Sequence, residues 1–325
     1  MHRLLLACFA IASLANSTWA AEPDENTFTD PTKAGPDYKD QGEYLGEFGE
    51  EIWGAQLIAL GGGNFASVAY AGGLPGQGWS RGDSLVRGTG ARDGDHVLLR
   101  GEVDDKSWVA VVKDGTITVK NNDGEVVGRL KRVVRKSKTL GAKPPQDATV
   151  LFDGSTADGF DNGKIVQENL LLADCSSKLK LQDHVLHLEF RTPFKPYARG
   201  QGRGNSGMYV QSRYEVQVLD SFGLDGKNNE CGGIYSISEP AVNMCYPPLQ
   251  WQTYDYEFTA ARYKDGDKVK NARVTIRHNG VVIHEDLELP NHTPGRQAEG
   301  PEAAPLYLQG HGNPVVYRNI WVVEK

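Results

Sequence analysis

Long apolar runs are scarce in this 325-residue chain, and after the first twenty residues none reaches the length of a membrane-spanning helix. Cysteine is also sparse. Only four are present, with no CxxC pair and no histidine at zinc-ligand spacing, so nothing in the pattern specifies a structural zinc site. No HxxxH or aspartate-rich loop marks a compact metal site either. The glycine cluster Gly61-Gly62-Gly63-Asn64 lacks both the GKS/T ending of a phosphate loop and the GxGxxG dinucleotide spacing, which leaves a tight turn or a strand whose backbone is closely approached. Positive charge is in deficit. With 35 basic and 42 acidic residues the formal net charge is −7, a poor balance for a general polyanion binder. The one basic concentration, LKRVVRKSK from Leu130 to Lys138, has no interleaved aromatic platform and reads as a solvated strand edge or linker flank, so no nucleic-acid partner is expected.

What the chain does have begins with a leader. His2 and Arg3 precede an apolar run that ends at the small-residue pattern Thr18-x-Ala20, the layout of a signal peptide over residues 1–20. An exported protein, periplasmic or extracellular, with no membrane span after leader cleavage is therefore expected. Cys8 leaves with the leader, and three cysteines remain. Cys231 and Cys245 bracket a short Gly/Pro-containing segment and form one candidate disulfide; the alternative is three buried thiols.

Residues 21–37 are rich in Pro, Asp, Glu, Thr and Lys without a hydrophobic period and read as a flexible tether. From about 38 to 140, β-branched runs alternate with turn signals such as Lys113-Asp114-Gly115 and Asn122-Asp123-Gly124, which predicts a small accessory β domain. The segment SKTLGAKPPQDA, Ser137 to Ala148, reads as a linker. Beyond it, over 148–325, short strands follow one another with Gly/Pro turns and few helical periods, the pattern of an all-β sandwich or barrel.

Several of these strands are polar on one face. In YEVQVLD, Tyr214 to Asp220, Glu215 and Gln217 alternate with Tyr214, Val216 and Val218. His187, Glu189 and Arg191 alternate with Leu186, Leu188 and Phe190, and Tyr307, Gln309 and His311 alternate with Leu306 and Leu308. Placed side by side in one curved sheet, these faces make a groove of acids, amides, imidazole and guanidinium groups that suits a hydroxyl-rich ligand. The alternative is a plain solvated sheet face.

The region from Ala148 to Lys325 resembles the bacterial family of 3-keto-glycoside lyases and hydratases, also called 3-keto-disaccharide hydrolases. The resemblance rests on spaced motifs: Leu151-Phe152-Asp153-Gly154, Leu188-Glu189-Phe190-Arg191, Asn205-Ser206-Gly207-Met208-Tyr209 and the YEVQVLD strand, then Gly233-Ile234-Tyr235, Trp251-Gln252-Thr253-Tyr254, His278-Asn279-Gly280, Leu308-Gln309-Gly310-His311-Gly312 and Tyr317-Arg318-Asn319-Ile320. Around Cys231 to Pro248 the chain departs from the family's usual pattern, carrying two cysteines and Pro247-Pro248.

The resemblance implies a concanavalin-like β-sandwich, or jelly roll, whose concave sheet binds carbohydrate and which processes glycosides already oxidised at C3. The ketone acidifies the hydrogen on C2, so the needs are a base near C2, a stabiliser for enediolate charge and an acid near the departing oxygen. Glu215 is the first candidate for the acidic residue. Asp220 joins it, caps the turn that ends the strand, or holds a divalent metal ion with Glu215 and His311. His311, between two glycines, is the candidate proton carrier, since imidazoles titrate near neutrality. Glu189, Arg191, Gln217, Gln309 and Arg318 suit substrate binding; Asn205 fixes a turn or touches sugar; Tyr209, Tyr235 and Trp251 stack on a pyranose or pack in the core. Simple parity places Arg318 on a face with Val316 and Ile320, so it reaches a polar groove only if a bulge shifts the strand or the apolar pair is tolerated there. Two rival functions remain open: a noncatalytic carbohydrate-binding module whose first domain serves envelope attachment or a protein contact, and a conventional two-carboxylate glycoside hydrolase.

Overall fold

The structure is a computed structural model that describes residues 25–103 and 106–325. The leader expected over residues 1–20 lies outside the described residues. From Phe28 onward the segment expected to be a tether has defined contacts: Phe28 and Phe194 exchange two backbone hydrogen bonds of 2.9 Å, and a short helix, Gly35–Asp40, places Asp37 and Asp40 against Arg92.

Eight antiparallel strands between Gly42 and Val133 close into a barrel. Alternation explains its filling. In the strand Glu51–Gly61, Ala55, Leu57 and Ala59 point into the barrel with Phe65, Val97, Leu99, Val112 and Leu130, so the interior is packed with side chains. Gln56 and Ile58 on the other face of that strand are buried too, because Ile58, Val68 and Tyr70 belong to the core of the following sandwich. Burial on both sides accounts for a strand that reads as one apolar run. Gly61, Gly62 and Gly63 all have positive φ, and the Tyr197 ring lies where a Cβ on Gly61 would sit, with its hydroxyl accepting from Gly62 N at 3.0 Å. The glycine cluster is thus a turn under a tyrosine, and Asp114-Gly115 is the positive-φ hairpin turn its sequence specifies.

Two antiparallel sheets follow and pack face to face as a sandwich. The larger runs in the order Ile165–Val166, Leu170–Leu172, Val316–Glu324, His184–Arg191, Gln252–Thr259, Ala272–His278 and Val281–Leu289, with Thr149–Phe152 also paired to Val316–Glu324. The smaller runs Phe160–Asp161, Cys175–Leu181, Ala304–Leu308, Ser206–Val210 and Tyr214–Val218. Leu186, Leu188 and Phe190 from one sheet meet Met208, Val216, Val218, Leu306 and Leu308 from the other in a single core. Cys175, Cys231 and Cys245 are free, buried thiols, and Cys231 Sγ lies 3.3 Å from the Tyr254 hydroxyl. No described helix is long and apolar enough to cross a membrane.

The first half of the Ser137 to Ala148 segment, residues 137–142, is bound to the outer face of the larger sheet. Ser137 Oγ lies 2.6 Å from Thr253 Oγ1, Thr139 Oγ1 donates to Asp255 at 2.6 Å, and Gly141 N donates to Glu189 at 2.6 Å. Two arginines, each held in a buried ion pair within its own part, reach from one part to the other. Arg135, just past the last barrel strand, donates two hydrogen bonds to Glu43 and lies over the Tyr246 ring at 5.1 Å. Arg203 donates to Asp220 at 2.7 Å and to the barrel carbonyl of Ala59 at 3.2 Å.

Asp220 was a candidate for catalysis or metal binding at the end of YEVQVLD, and the structure corrects that. Its side chain is fully sealed and committed to Arg203, so it does not open onto a cleft. Removing the guanidinium leaves a buried carboxylate without its counter-charge, and Arg203→Ala is expected to destabilise the fold by about 3–5 kcal/mol, read as a lower denaturation midpoint.

Candidate functional site

Because the two sheets share one core, the residues that alternate with core positions face opposite ways. The polar side chains expected in one groove therefore form two clusters on opposite outer faces of the sandwich.

The first cluster lies on the larger sheet and contains Glu189, Arg191, Trp251 and Arg318. A bulge at Asn319, where φ is +47°, lets Tyr317 and Ile320 both enter the core and sends Arg318 outward opposite Glu189. Of the two alternatives for Arg318, a bulge or a tolerated apolar pair, a bulge is present, but Arg318 reaches the other face of the molecule from Glu215. Glu189 accepts from Gly141 N, from Asn319 at 3.0 Å and from Arg318 at 2.7 Å. Burial alone would raise its pKa; the nearby His187 at 3.7 Å and hydrogen bonds from Asn319, Gly141 and Arg318 instead hold it down to about 2. Burial likewise disfavours a charged His187, yet Asp255 at 2.6 Å and Glu189 raise its pKa. Trp251 carries Arg318 at 3.9 Å and Arg191 at 5.0 Å from its ring centre. The assignment of Glu189, Arg191, Trp251 and Arg318 to the same sugar groove as Glu215 is thus corrected. Glu189 is saturated by partners and anchors the segment that joins barrel to sandwich.

The second cluster lies on the smaller sheet. Tyr214–Val218 pairs with Ser206–Val210 so that Glu215 faces Tyr209 and Gln217 faces Gly207, all on the side away from the core. On its other edge the strand is extended by residues 232–235, with Gln217 N donating to Gly233 O and Tyr235 N to Glu215 O. Glu215 Oε2 accepts from the Tyr209 hydroxyl at 2.9 Å, and Gln309 Nε2 lies 3.4 Å from that same hydroxyl. Thr293 and Pro294 close one side: Thr293 Oγ1 accepts from Glu215 N, and the Pro294 carbonyl is 3.1 Å from the Tyr209 hydroxyl. Gln217 Nε2 donates at 3.0 Å to both Gln201 and Asn205. Gln217 Oε1 and Gln309 Oε1 are buried acceptors without a donor among the described residues. Both oxygens lie beneath the surface with almost no solvent contact.

The electrostatics of Glu215 are opposite to those of Glu189. It is 4% exposed and has no cation beside it; burial, only partly opposed by the Tyr209 hydrogen bond, pushes its pKa up to about 7. Burial, followed by the nearby Glu215 charge, raises the Tyr209 phenol far above its ordinary range, which keeps it a donor. A carboxyl poised near neutrality and oriented by a fixed donor can take up and release a proton.

Tyr235 and Gln309 are partly exposed at the rim. His311 is exposed two residues beyond Gln309, on the loop whose Asn313 accepts from Gly204 N. Among the described residues no group of three or more His, Cys, Asp or Glu side chains is placed to hold a metal ion; the Glu215–Asp220–His311 set expected for a divalent cation is broken up by the burial of Asp220 against Arg203. Sequence reasoning missed Gln201, in a glycine-rich loop without periodicity, and Gly207, whose outward place opposite Gln217 follows from alternation. A Cβ on Gly207 would come within 2.4 Å of Glu215 Oε1, so only glycine lets the carboxylate lie flat there.

The family model for the 3-keto-α-glucoside-1,2-lyase-like domain matches residues 147–323. The chain belongs to this family. Its motifs therefore carry family weight over the sandwich, whereas the barrel strands lie outside the match. No curated protein matches the chain. A solved structure from Parabacteroides distasonis, described as a "putative glycosyl hydrolase", is 31% identical, covers 56% of this chain and 85% of its own, and has a TM-score of 0.52. Two more from that organism with the same description are each 17% identical; one covers 59% of this chain and 98% of its own, the other 55% and 99%, with TM-scores of 0.41 and 0.40. Family and relative together make this a carbohydrate-active, glycosyl hydrolase-like sandwich.

Two outcomes follow from the site. Gly207→Ala is expected to push the Glu215 carboxylate out of its place and return its titration, followed by carboxyl NMR, toward the ordinary 4.5. Between about 4.5 and about 7 the folded chain holds a proton on Glu215 that the unfolded chain has released, so this group makes stability fall as pH rises through that window. Glu215→Gln removes the penalty. The variant should be more stable than the parent above that window, by on the order of 3 kcal/mol, and lose the advantage below it, as read from urea midpoints across pH.

Proposed function

We propose that this protein cleaves 3-keto-α-glucosides by elimination, with Glu215 as the base. The observation that carries the reading is a buried carboxyl with its pKa lifted to about 7, oriented by the Tyr209 hydroxyl and flanked by Gln309 on the outer face of the smaller sheet. The family description, a 3-keto-α-glucoside-1,2-lyase-like domain, supports that choice of substrate class.

In the ground state a C3 ketone draws electron density from C2. Glu215 as carboxylate takes the C2 proton, the electron pair passes into an enediolate with its charge on O3, and collapse forms the C1–C2 double bond as the C1–O bond breaks. The proton count closes when the departing oxygen is protonated, a role we give to the exposed His311. Water then adds across the new double bond to complete hydrolysis in two steps. Tyr209 holds Glu215 in one orientation, Asn205 and Gln201 fix the Gln217 amide beneath it, and the partly exposed Gln309 and Tyr235 line the rim where sugar hydroxyls would be received. Conventional hydrolysis needs a second carboxyl across the scissile bond. Asp220 was the nearest candidate on this strand, and it is taken by Arg203, which favours elimination with one carboxylate. The leader-like first twenty residues support action outside the cytoplasm, in the periplasm or extracellularly.

The test pairs each glucoside with its 3-keto counterpart, with and without chelator, and follows products by NMR. Aglycone release from the ketone-bearing member alone is expected, through a glucal intermediate. Release from both members would establish ordinary hydrolysis, and binding without release would establish a carbohydrate-binding module. Glu215→Gln is expected to lower kcat by about 10²–10⁴-fold while sugar affinity stays near that of the parent. Since the carboxylate is the active form, kcat/KM should rise with pH through about 7.

A further inference from the structure

A cleft with a cavity of about 250 Å³ opens where the barrel meets the sandwich. Its barrel side is an apolar wall of Tyr70 and Trp79, packed edge to face with ring centres 4.9 Å apart. The sandwich side is the loop that leaves the Glu215 strand, with Leu224 42% exposed and Asp225 paired to Arg87 of the barrel. Arg81 reaches across the junction to the carbonyls of Gly226 at 2.7 Å and Pro240 at 2.9 Å.

The charges lining the cleft balance. Arg81 and Arg87 stand against Asp83 and Asp225, so neither an anion nor a cation gains a net counter-charge by entering. The ion pair Arg87–Asp225 is half exposed, and its free N–H groups and lone pairs face solvent. Aromatic and aliphatic surface bordered by planar polar groups of both signs matches a ring that is apolar on its faces and hydroxylated at its edge. The volume falls just below the roughly 300–1,000 Å³ of drug-sized pockets, room for one ring in place of a chain.

We propose that this junction is a second, noncatalytic carbohydrate site that holds one neutral glycosyl unit, built jointly by barrel and sandwich. It rests on the carbohydrate reading of the chain and is independent of what Glu215 does. The barrel then contributes half of a binding site.

The experiment uses the Glu215→Gln full chain, so turnover cannot remove the ligand. Maltose, methyl α-glucoside, glucuronate and inorganic phosphate are each titrated while the Trp79 indole N–H resonance is followed, assigned through Trp79→Phe. Maltose and methyl α-glucoside should both shift it, whereas glucuronate and phosphate should bind more weakly. Arg87→Ala should weaken binding about 10-fold through loss of charge-assisted hydrogen bonds. Leu224→Trp, which fills the cleft, should abolish the shift with the thermal midpoint unchanged, and Leu224→Val should retain it; if the tryptophan variant does not fold, Arg87→Ala decides. An unmoved Trp79 resonance, binding confined to glucuronate or phosphate, or Arg87→Ala binding as tightly as the parent would overturn the proposal. Parent protein that fails to cleave keto-glucosides while this binding persists would overturn the elimination reading and leave the junction site standing.

Discussion

One constraint governs the placement of every polar side chain in the sandwich: two sheets bury their facing sides in one core, so whatever alternates with the core must leave in opposite directions. Leu186, Leu188 and Phe190 meet Val216, Val218 and Leu308 in that core. Glu189 and Arg191 therefore point one way, and Glu215, Gln217 and Gln309 the other. Two outer faces result. One is occupied by the segment arriving from the barrel, and the other is lined by a glutamate, amides and tyrosines beneath the Thr293–Pro294 turn.

The two glutamates show how environment, not residue type, sets chemistry. Both sit mid-strand and both are buried. Glu189 is surrounded by donors and a guanidinium, which stabilise its charge against the cost of burial; that makes it an inert anchor. Glu215 has one phenolic donor and no cation, so burial prevails and its proton is held to near neutrality. Gly207 completes that environment by leaving room for the carboxylate.

The barrel and the sandwich are joined as firmly as parts of one domain. Core packing is continuous through Ile58, Val68 and Tyr70, while Arg135, paired to Glu43 on the barrel side, lies over Tyr246 of the sandwich, and Arg203, paired to Asp220 in the sandwich, donates to the barrel carbonyl of Ala59. The barrel thereby has a fixed orientation toward the loop that follows Glu215, which is what allows the two parts to share a cleft.

Period-two alternation was legible in the sequence and determined the all-β class, the outward positions of Glu215 and Gln217 and the Asp114-Gly115 hairpin; for Arg318 it left a bulge and a tolerated apolar pair both open. These are local consequences of backbone geometry and need no partner strand to be read. Which sheet each strand joins is a matter of long-range pairing, and a strand carries no mark of it. Only the tertiary structure decided that Glu189 and Trp251 lie across the sandwich from Glu215, that Asp220 turns to Arg203, and that residues 137–142 lie on the larger sheet. A carboxylate's role depends on which charges and donors surround it, and those come from segments distant in the chain.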